Sequence, residues 1–205
     1  LAPEQISGVV RLVAASVDGL RPADVTLVDV NGQVLTHYQG DQDARSAAQG
    51  ATRGTGRMAA VGLTEAAARE LIAAERLAGI EISGINSPTS VTLSGDLAAL
   101  DHLKSLLTQR NVFYRLLEFD YAFHSRSMDP IERDLLARVA TLAPQSAGGL
   151  PFISTVTGGV LPGSALGTKY WWRNVREPVN FAGAMSALAD FGCRVFLEIG
   201  PNAIL

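Results

Sequence analysis

The chain has 205 residues, 47% hydrophobic and 18% charged, with a formal net charge of −3. That length and apolar share suit one ordinary domain or two small ones with a real core, and they exclude a disordered chain. The mildly acidic balance gives no electrostatic footing for nucleic acid or an anionic membrane. The one cysteine, Cys193, excludes an internal disulfide and any multi-cysteine metal site.

There is no signal-peptide pattern and no apolar run long enough to span a bilayer. With so little cysteine, a reducing, cytoplasmic setting is the expectation. The first residue is Leu1 rather than methionine, which fits a fragment or a processed chain.

Taken in order, residues 1–39 read as a helix followed by a β-hairpin. Pro3 to Ser16 carries an apolar stripe of Ile6, Val9, Val10 and Val13. Val25–Asp29 and Gln33–Thr36 then flank Asn31-Gly32. Asn-Gly readily takes the positive φ values of a tight hairpin turn. Residues 40–56 hold Gln, Asp, Ser, Ala, Thr, Arg and Gly without a bulky apolar side chain, and read as a linker or junction.

Residues 57–120 alternate between strand and helix patterns. Met58 to Leu63 reads as a strand, and Thr64 as the cap of a helix reaching Leu77, with Glu65 near its positive end. Ile80–Ile85 and Ser90–Leu93 read as strands around an Asn86-Ser87-Pro88 turn. Asp96 opens a helix to Gln109, and Val112–Phe119 closes the block as a fourth strand. This β-α-β-β-α-β order predicts a ferredoxin-like subdomain.

Residues 121–205 begin with a helix over Ser127–Ala143 and a strand over Pro151–Val156. A Gly/Pro-rich loop from Gly158 to Gly167 follows, then a helical segment around Tyr170–Val175, a helix over Asn180–Phe191 and a strand over Arg194–Ile199. The fold class is α/β (α+β).

His124 stands in Tyr121-Ala122-Phe123-His124-Ser125-Arg126-Ser127-Met128-Asp129-Pro130, between the apolar strand and a helix. A side chain at such a junction leaves the core while its backbone stays rigid, which suits a general base. His37 and His102 read as surface residues. Ser94, Ser125, Ser127 and Ser154 read as structural, Trp171 and Trp172 as apolar packing, and Cys193 as a core residue. No His/Cys/Asp group has metal-ligand spacing.

Several ordered landmarks accompany His124. They are Met58-Ala59-Ala60-Val61-Gly62, Gly84-Ile85-Asn86-Ser87-Pro88, Tyr170-Trp171-Trp172-Arg173-Asn174-Val175-Arg176-Glu177-Pro178-Val179 and Glu198-Ile199-Gly200-Pro201. In this order and spacing, over about residues 56–205, the chain resembles the acyltransferase domain of polyketide synthases, in the malonyl-CoA:acyl-carrier-protein transacylase family. The resemblance implies a ferredoxin-like small subdomain beside the C-terminal part of a hydrolase-like core. It implies transfer of an acyl group from acyl-CoA to the phosphopantetheine of an acyl carrier protein, with no resident cofactor and no metal. His124 matches the catalytic base, and Asn174 the position whose main-chain oxygen orients it.

Extender choice in this family follows the residues before the histidine. Phe123 resembles the malonyl pattern, because it fills the space of an α-methyl group. Tyr121 resembles the methylmalonyl pattern. One family feature is missing. No Gly-x-Ser-x-Gly occurs anywhere in the sequence, and Gly163-Ser164-Ala165-Leu166-Gly167 has the wrong spacing. Arg53 and Arg57 lie near the family's arginine-bearing region without its surrounding motif.

The N-terminal stretch Leu1-Ala2-Pro3-Glu4-Gln5-Ile6-Ser7-Gly8-Val9-Val10-Arg11-Leu12-Val13, with Gly19-Leu20-Arg21-Pro22-Ala23-Asp24-Val25 and Asn31-Gly32, is similar to the ring-building segment of the flagellar MS-ring protein. The sequence therefore reads as a join of two unrelated families near Gln39 to Gly56, whether a natural fusion, an engineered chimera or an assembly artefact. Its first expectation is a malonyl-type acyltransferase without its nucleophile and hence impaired. The second is a non-enzymatic module that self-associates through residues 1–39. The third is a folded remnant.

Overall fold

In the computed structural model the chain divides into two compact units, residues 1–47 with 195–205, and residues 48–194. The structure describes residues 54, 56–118, 120–145, 151–194 and 196. The helix–hairpin expected over residues 1–39, nearly all of the expected junction and most of the strand over Arg194–Ile199 lie outside the described residues.

The second unit is built on a ferredoxin-like block. Its elements are β1 (Arg57–Val61), α1 (Glu65–Ala74), β2 (Glu81–Ser87), β3 (Ser90–Gly95), α2 (Leu97–Gln109) and β4 (Tyr114–Leu116). The helices start where short polar side chains can accept orphan N–H groups. Thr64 Oγ1 accepts from the Ala67 N–H and Asp96 Oδ1 from the Ala99 N–H. The four strands pair antiparallel in the order β4-β1-β3-β2.

Side-chain alternation gives this sheet two faces with different jobs. Ala59, Val61, Ile82, Val91 and Leu93 point to one face and are buried against Ala68 and Leu71 of α1 and Leu100, Leu103 and Leu107 of α2. The leucines of α2 recur at helical spacing, so one stripe meets the sheet. Burial of each such side chain is worth about 1.5–3 kcal/mol. Register pairs Glu81 with Ser94 and Met58 with Ser94, so these three point to the opposite face. That face receives the His124 segment. Backbones approach closely there: a Cβ on Gly56 would stand 2.8 Å from both the Ala122 Cβ and the Gly95 carbonyl oxygen, so glycine is required.

After β4 come a 3₁₀ turn (Arg126–Ile131), α3 (Glu132–Arg138), β5 (Phe152–Ser154), β6 (Gly159–Leu161), a short 3₁₀ turn (Gly163–Ala165), α4 (Thr168–Arg176), β7 (Val179–Asn180) and α5 (Phe181–Asp190). β5 and β6 form a two-stranded hairpin. β7 adds to the β2 edge in parallel, Gly84 opposite Val179 and Ile85 opposite Asn180. Among the described residues the sheet thus has five strands, the last supplied by the C-terminal half.

Four expectations are corrected in detail. The helix expected over Ser127–Ala143 is a 3₁₀ turn and a seven-residue helix, because Pro130 has no N–H with which to continue a helical ladder backwards. The loop expected over Gly158–Gly167 contains β6, since Gly158 at φ +71° turns the chain back along β5. The fourth strand, expected over Val112–Phe119, is regular only from Tyr114 to Leu116. Asn86 lies within β2, and the turn is centred on Pro88 and Thr89.

Leu93 is fully buried at the centre of this core. Leu93→Ala is expected to lower unfolding free energy by about 2–5 kcal/mol, measured as a shift in the urea midpoint at an unchanged slope.

Candidate active site

His124 occupies the connection between β4 and the 3₁₀ turn, with φ +55°. The left-handed region is uncommon for any residue with a Cβ, so surrounding contacts must hold it. Those contacts come from the face of the sheet opposite the helices. Before the histidine, the buried Ser94 Oγ of β3 donates to the Phe123 carbonyl at 2.8 Å. Behind that, Ala122 is fully buried and accepts from Ser125 Oγ at 2.6 Å. After the histidine, Ser125 Oγ accepts the Ser127 N–H and caps the turn.

The imidazole is tied at one nitrogen. Nδ1 lies 2.9 Å from the Glu177 carbonyl oxygen. A carbonyl can only accept, so Nδ1 carries the hydrogen and the Nε2 lone pair is left for chemistry. Burial holds His124 below the ordinary imidazole range, and the hydrogen bond to Glu177 only partly opposes it. The ring is therefore neutral at physiological pH, the form a general base needs.

The orienting oxygen differs from the expected one. Asn174 lies in the last turn of α4, where a carbonyl points along the helix axis. Glu177 follows the helix in an extended conformation, φ −84° and ψ 157°. Pro178 enforces that geometry, because its ring disfavours helical backbone in the residue before it. The Glu177 carbonyl is thereby turned out of the helix toward His124. Its position is fixed further by β7, which pairs with β2 and whose Asn180 N–H donates to the Thr155 carbonyl at 2.6 Å.

Phe123 lies beside the imidazole and Tyr121 packs on Phe123; both are half-buried. Their ring centroids are 4.3 Å apart, and Phe123 and His124 are 6.2 Å apart. The structure thus brings Tyr121, Phe123 and His124 together, and leaves the Asn174 carbonyl out of the contact with Nδ1. Arg57 forms an ion pair with Asp120 and donates to the Gly56 carbonyl at 3.0 Å. Arg53 lies outside the described residues. His102 is exposed on α2. Ser154 is held by Tyr170, its Oγ 2.9 Å from the phenol oxygen. Ser164 sits in the short 3₁₀ turn rather than on a strand-to-helix elbow.

Sequence reasoning read Ser94 as structural, and did not single out Glu177 or the charged group around Glu81. Glu81 Oε1 accepts from the Arg126 N–H at 3.1 Å and from Arg126 Nε at 2.5 Å. Its Oε2 accepts from an Arg176 guanidinium nitrogen at 3.2 Å, and Arg176 Nε donates to Asp129 at 2.6 Å. Burial opposes ionisation of Glu81, yet the Arg126 hydrogen bonds and the two guanidinium charges prevail and hold its carboxyl below the ordinary range. Pro178 was the one local signal that could have pointed to Glu177.

A neutral imidazole with one nitrogen tied to a main-chain oxygen, and the other without a hydrogen-bond partner among the described residues, has the form that a general base needs. Comparison with known proteins gives the family. The model of the acyl transferase domain matches residues 44–205, and the chain belongs to that family. A second model, secretory protein of YscJ/FliF RBM domain, matches residues 1–36, in line with the ring-building resemblance of that stretch.

Polyketide synthase GfsA of Streptomyces halstedii is 41% identical over 163 residues, 78% of this chain and 2% of its own length. The acyltransferase domain from module 8 of the salinomycin polyketide synthase superposes with a TM-score of 0.68 at 35% identity, over 73% of this chain and 35% of that one. The loading acyltransferase from the avermectin modular polyketide synthase gives 0.71 at 30% identity, over 78% and 51%. The chain thus spans a small part of this curated relative and a third to a half of these solved chains.

The lowered His124 value has a consequence for stability. An unfolded imidazole titrates near 6.5, so just below that pH the unfolded chain binds a proton that the folded chain does not. Stability is full above pH 6.5 and declines as pH falls toward and through the folded value. Urea midpoints measured across this range should show that decline, and His124→Gln should flatten it.

Proposed function

We propose that residues 44–205 are the base-bearing part of a polyketide synthase acyltransferase, specific for a malonyl-type acyl group carried by CoA and delivered to an acyl carrier protein. The observation that carries this reading is the Nδ1 contact of His124 with the Glu177 carbonyl at 2.9 Å, which leaves Nε2 free. In the reaction a serine hydroxyl attacks the thioester carbonyl while Nε2 takes its proton. The imidazolium gives that proton to the departing coenzyme A sulfur, and the acyl group remains as an ester on the serine oxygen. The phosphopantetheine thiol of the carrier protein then attacks that ester, losing its proton to Nε2, which passes it to the departing serine oxygen.

The sequence contains no Gly-x-Ser-x-Gly, so the chain alone supplies the base and its support but no elbow serine. It is accordingly impaired in this reaction by itself. Phe123 fills the space of an α-methyl group and favours malonyl units, with the Tyr121 ring tilted against it. A methyl-sized discrimination of this kind is worth about 1–3 kcal/mol, or roughly 10–200-fold.

The test has two arms. Intact mass after incubation with malonyl-CoA should show no adduct on the chain alone. Joining the preceding half of the GfsA acyltransferase ahead of residue 44 should restore malonyl transfer to a carrier protein, and His124→Ala should then cost about 10²–10⁴-fold. In the same joined protein, Phe123→Ser should shift preference toward methylmalonyl units. A folded joined protein that transfers nothing, or transfers equally with alanine at 124, would sink the reading.

A second reading concerns residues 1–36 and is favoured by their match to the YscJ/FliF family model. That segment would pack against copies of itself in a ring-like assembly. Elution in size-exclusion chromatography should then move to larger size with concentration, and a deletion of residues 1–36 should abolish the shift. A monomer at every concentration counts against self-association.

A further inference from the structure

We infer that Glu81 and Ser94 act together as positioning residues for His124; this rests on the reading of His124 as the base. The two residues are direct partners in the β2–β3 register and point to the same face of the sheet. Each ties a different side of the histidine. Ser94 Oγ donates to the Phe123 carbonyl, the residue before it, at 2.8 Å. Glu81 Oε1 accepts the backbone N–H of Arg126, two residues after it, at 3.1 Å. The histidine between these ties is the one at φ +55°. Left to itself that backbone would relax to the common region, so a bracket on both sides has a physical job to do.

Glu81 also reaches the other half of the contact. Its second oxygen accepts from Arg176 at 3.2 Å, and Arg176 is the last residue of α4, next to Glu177. One carboxylate thus joins the segment that carries the imidazole to the segment that carries the orienting carbonyl. Asp129, on the turn after His124, closes the arrangement by accepting from Arg176 Nε at 2.6 Å.

These side chains are partly exposed, Glu81 at 23% and Arg126 at 63%. Ion pairs that open to water contribute little to global stability. The same arrangement can still decide where a loop sits, because the competing states of the loop differ by little. The function of the cluster is therefore geometric: it keeps Nδ1 on the Glu177 oxygen and so keeps the imidazole in the Nδ1–H form.

The test is ¹⁵N NMR of the imidazole rings at pH 7.5, with His124 assigned by loss of its signals in His124→Ala. The wild-type ring should be in the Nδ1–H form. In Glu81→Ala the Nε2–H form should become the major one, and the pKa of His124 should rise toward 6.5 as the ring swings into water. Glu81→Gln keeps a neutral acceptor for the Arg126 N–H and should retain most of the Nδ1–H form. Ser94→Ala should repeat the loss from the other side, and it serves if Glu81→Ala does not fold.

Circular dichroism and thermal unfolding show which variants are folded. A folded Glu81→Ala or Ser94→Ala whose ring stays Nδ1–H overturns the inference. So does a fall in the His124 pKa with the tautomer unchanged, since Glu81 would then act only as a nearby charge. A wild-type ring in the Nδ1–H form beside a joined protein without transfer activity would count against the proposed reaction and not against this inference.

Discussion

A non-glycine residue in left-handed backbone holds its place only when its neighbours outnumber the conformations it prefers. His124 is such a residue, and most of the architecture around it is explained by that demand. The helices occupy one face of the ferredoxin-like sheet and leave the other to polar side chains that can reach backbone atoms. Ser94 and the Glu81 carboxylate do so from adjacent strands. β7 brings the Glu177 carbonyl to the same sheet by pairing with the far edge of β2. The imidazole and the carbonyl it meets come from parts of the sequence 53 residues apart, yet both are referred to one sheet.

The frame also explains why the electrostatics come out as they do. Burial alone would make the imidazole neutral, and it is the larger influence. The carbonyl contact works the other way, but it selects which nitrogen is free. A carbonyl in place of a carboxylate suits this balance. It orients the ring without adding a negative charge that would pull the pKa up into the charged form at neutral pH.

Local pattern made the ferredoxin-like block legible. Thr64 and Asp96 are helix caps in the structure as read from sequence, and the strand read over Ser90–Leu93 is the start of β3. His124 could be singled out because its flanking residues are distinctive. The orienting oxygen could not be assigned the same way, since a main-chain carbonyl has no residue signature. Only the geometry before Pro178 decides that Glu177 rather than Asn174 points at the ring. β7 was missed for a related reason. Two residues that pair in parallel with a strand 95 positions upstream, as Val179 does with Gly84, leave no periodicity to read. Glu81 and Arg176 pair across 95 positions, and a charge in a sequence does not announce its partner.

The spacing of these contacts carries a consequence for how the molecule comes together. The pairings of β3 with β1 and with β2 join positions no more than 38 residues apart, and short loops close quickly. The pairing of β1 with β4 and the contacts of His124 with Glu177 and Glu81 with Arg176 close longer loops, the last two of 53 and 95 residues. A β1-β3-β2 core that forms first, with the β4 edge and the site added to it later, is the order these separations favour. Substitutions at the docking contacts would then act mainly on the rate of unfolding, whereas substitutions in the Leu93 core would also slow folding. The contacts around His124 would be the last to assemble and the first to come undone.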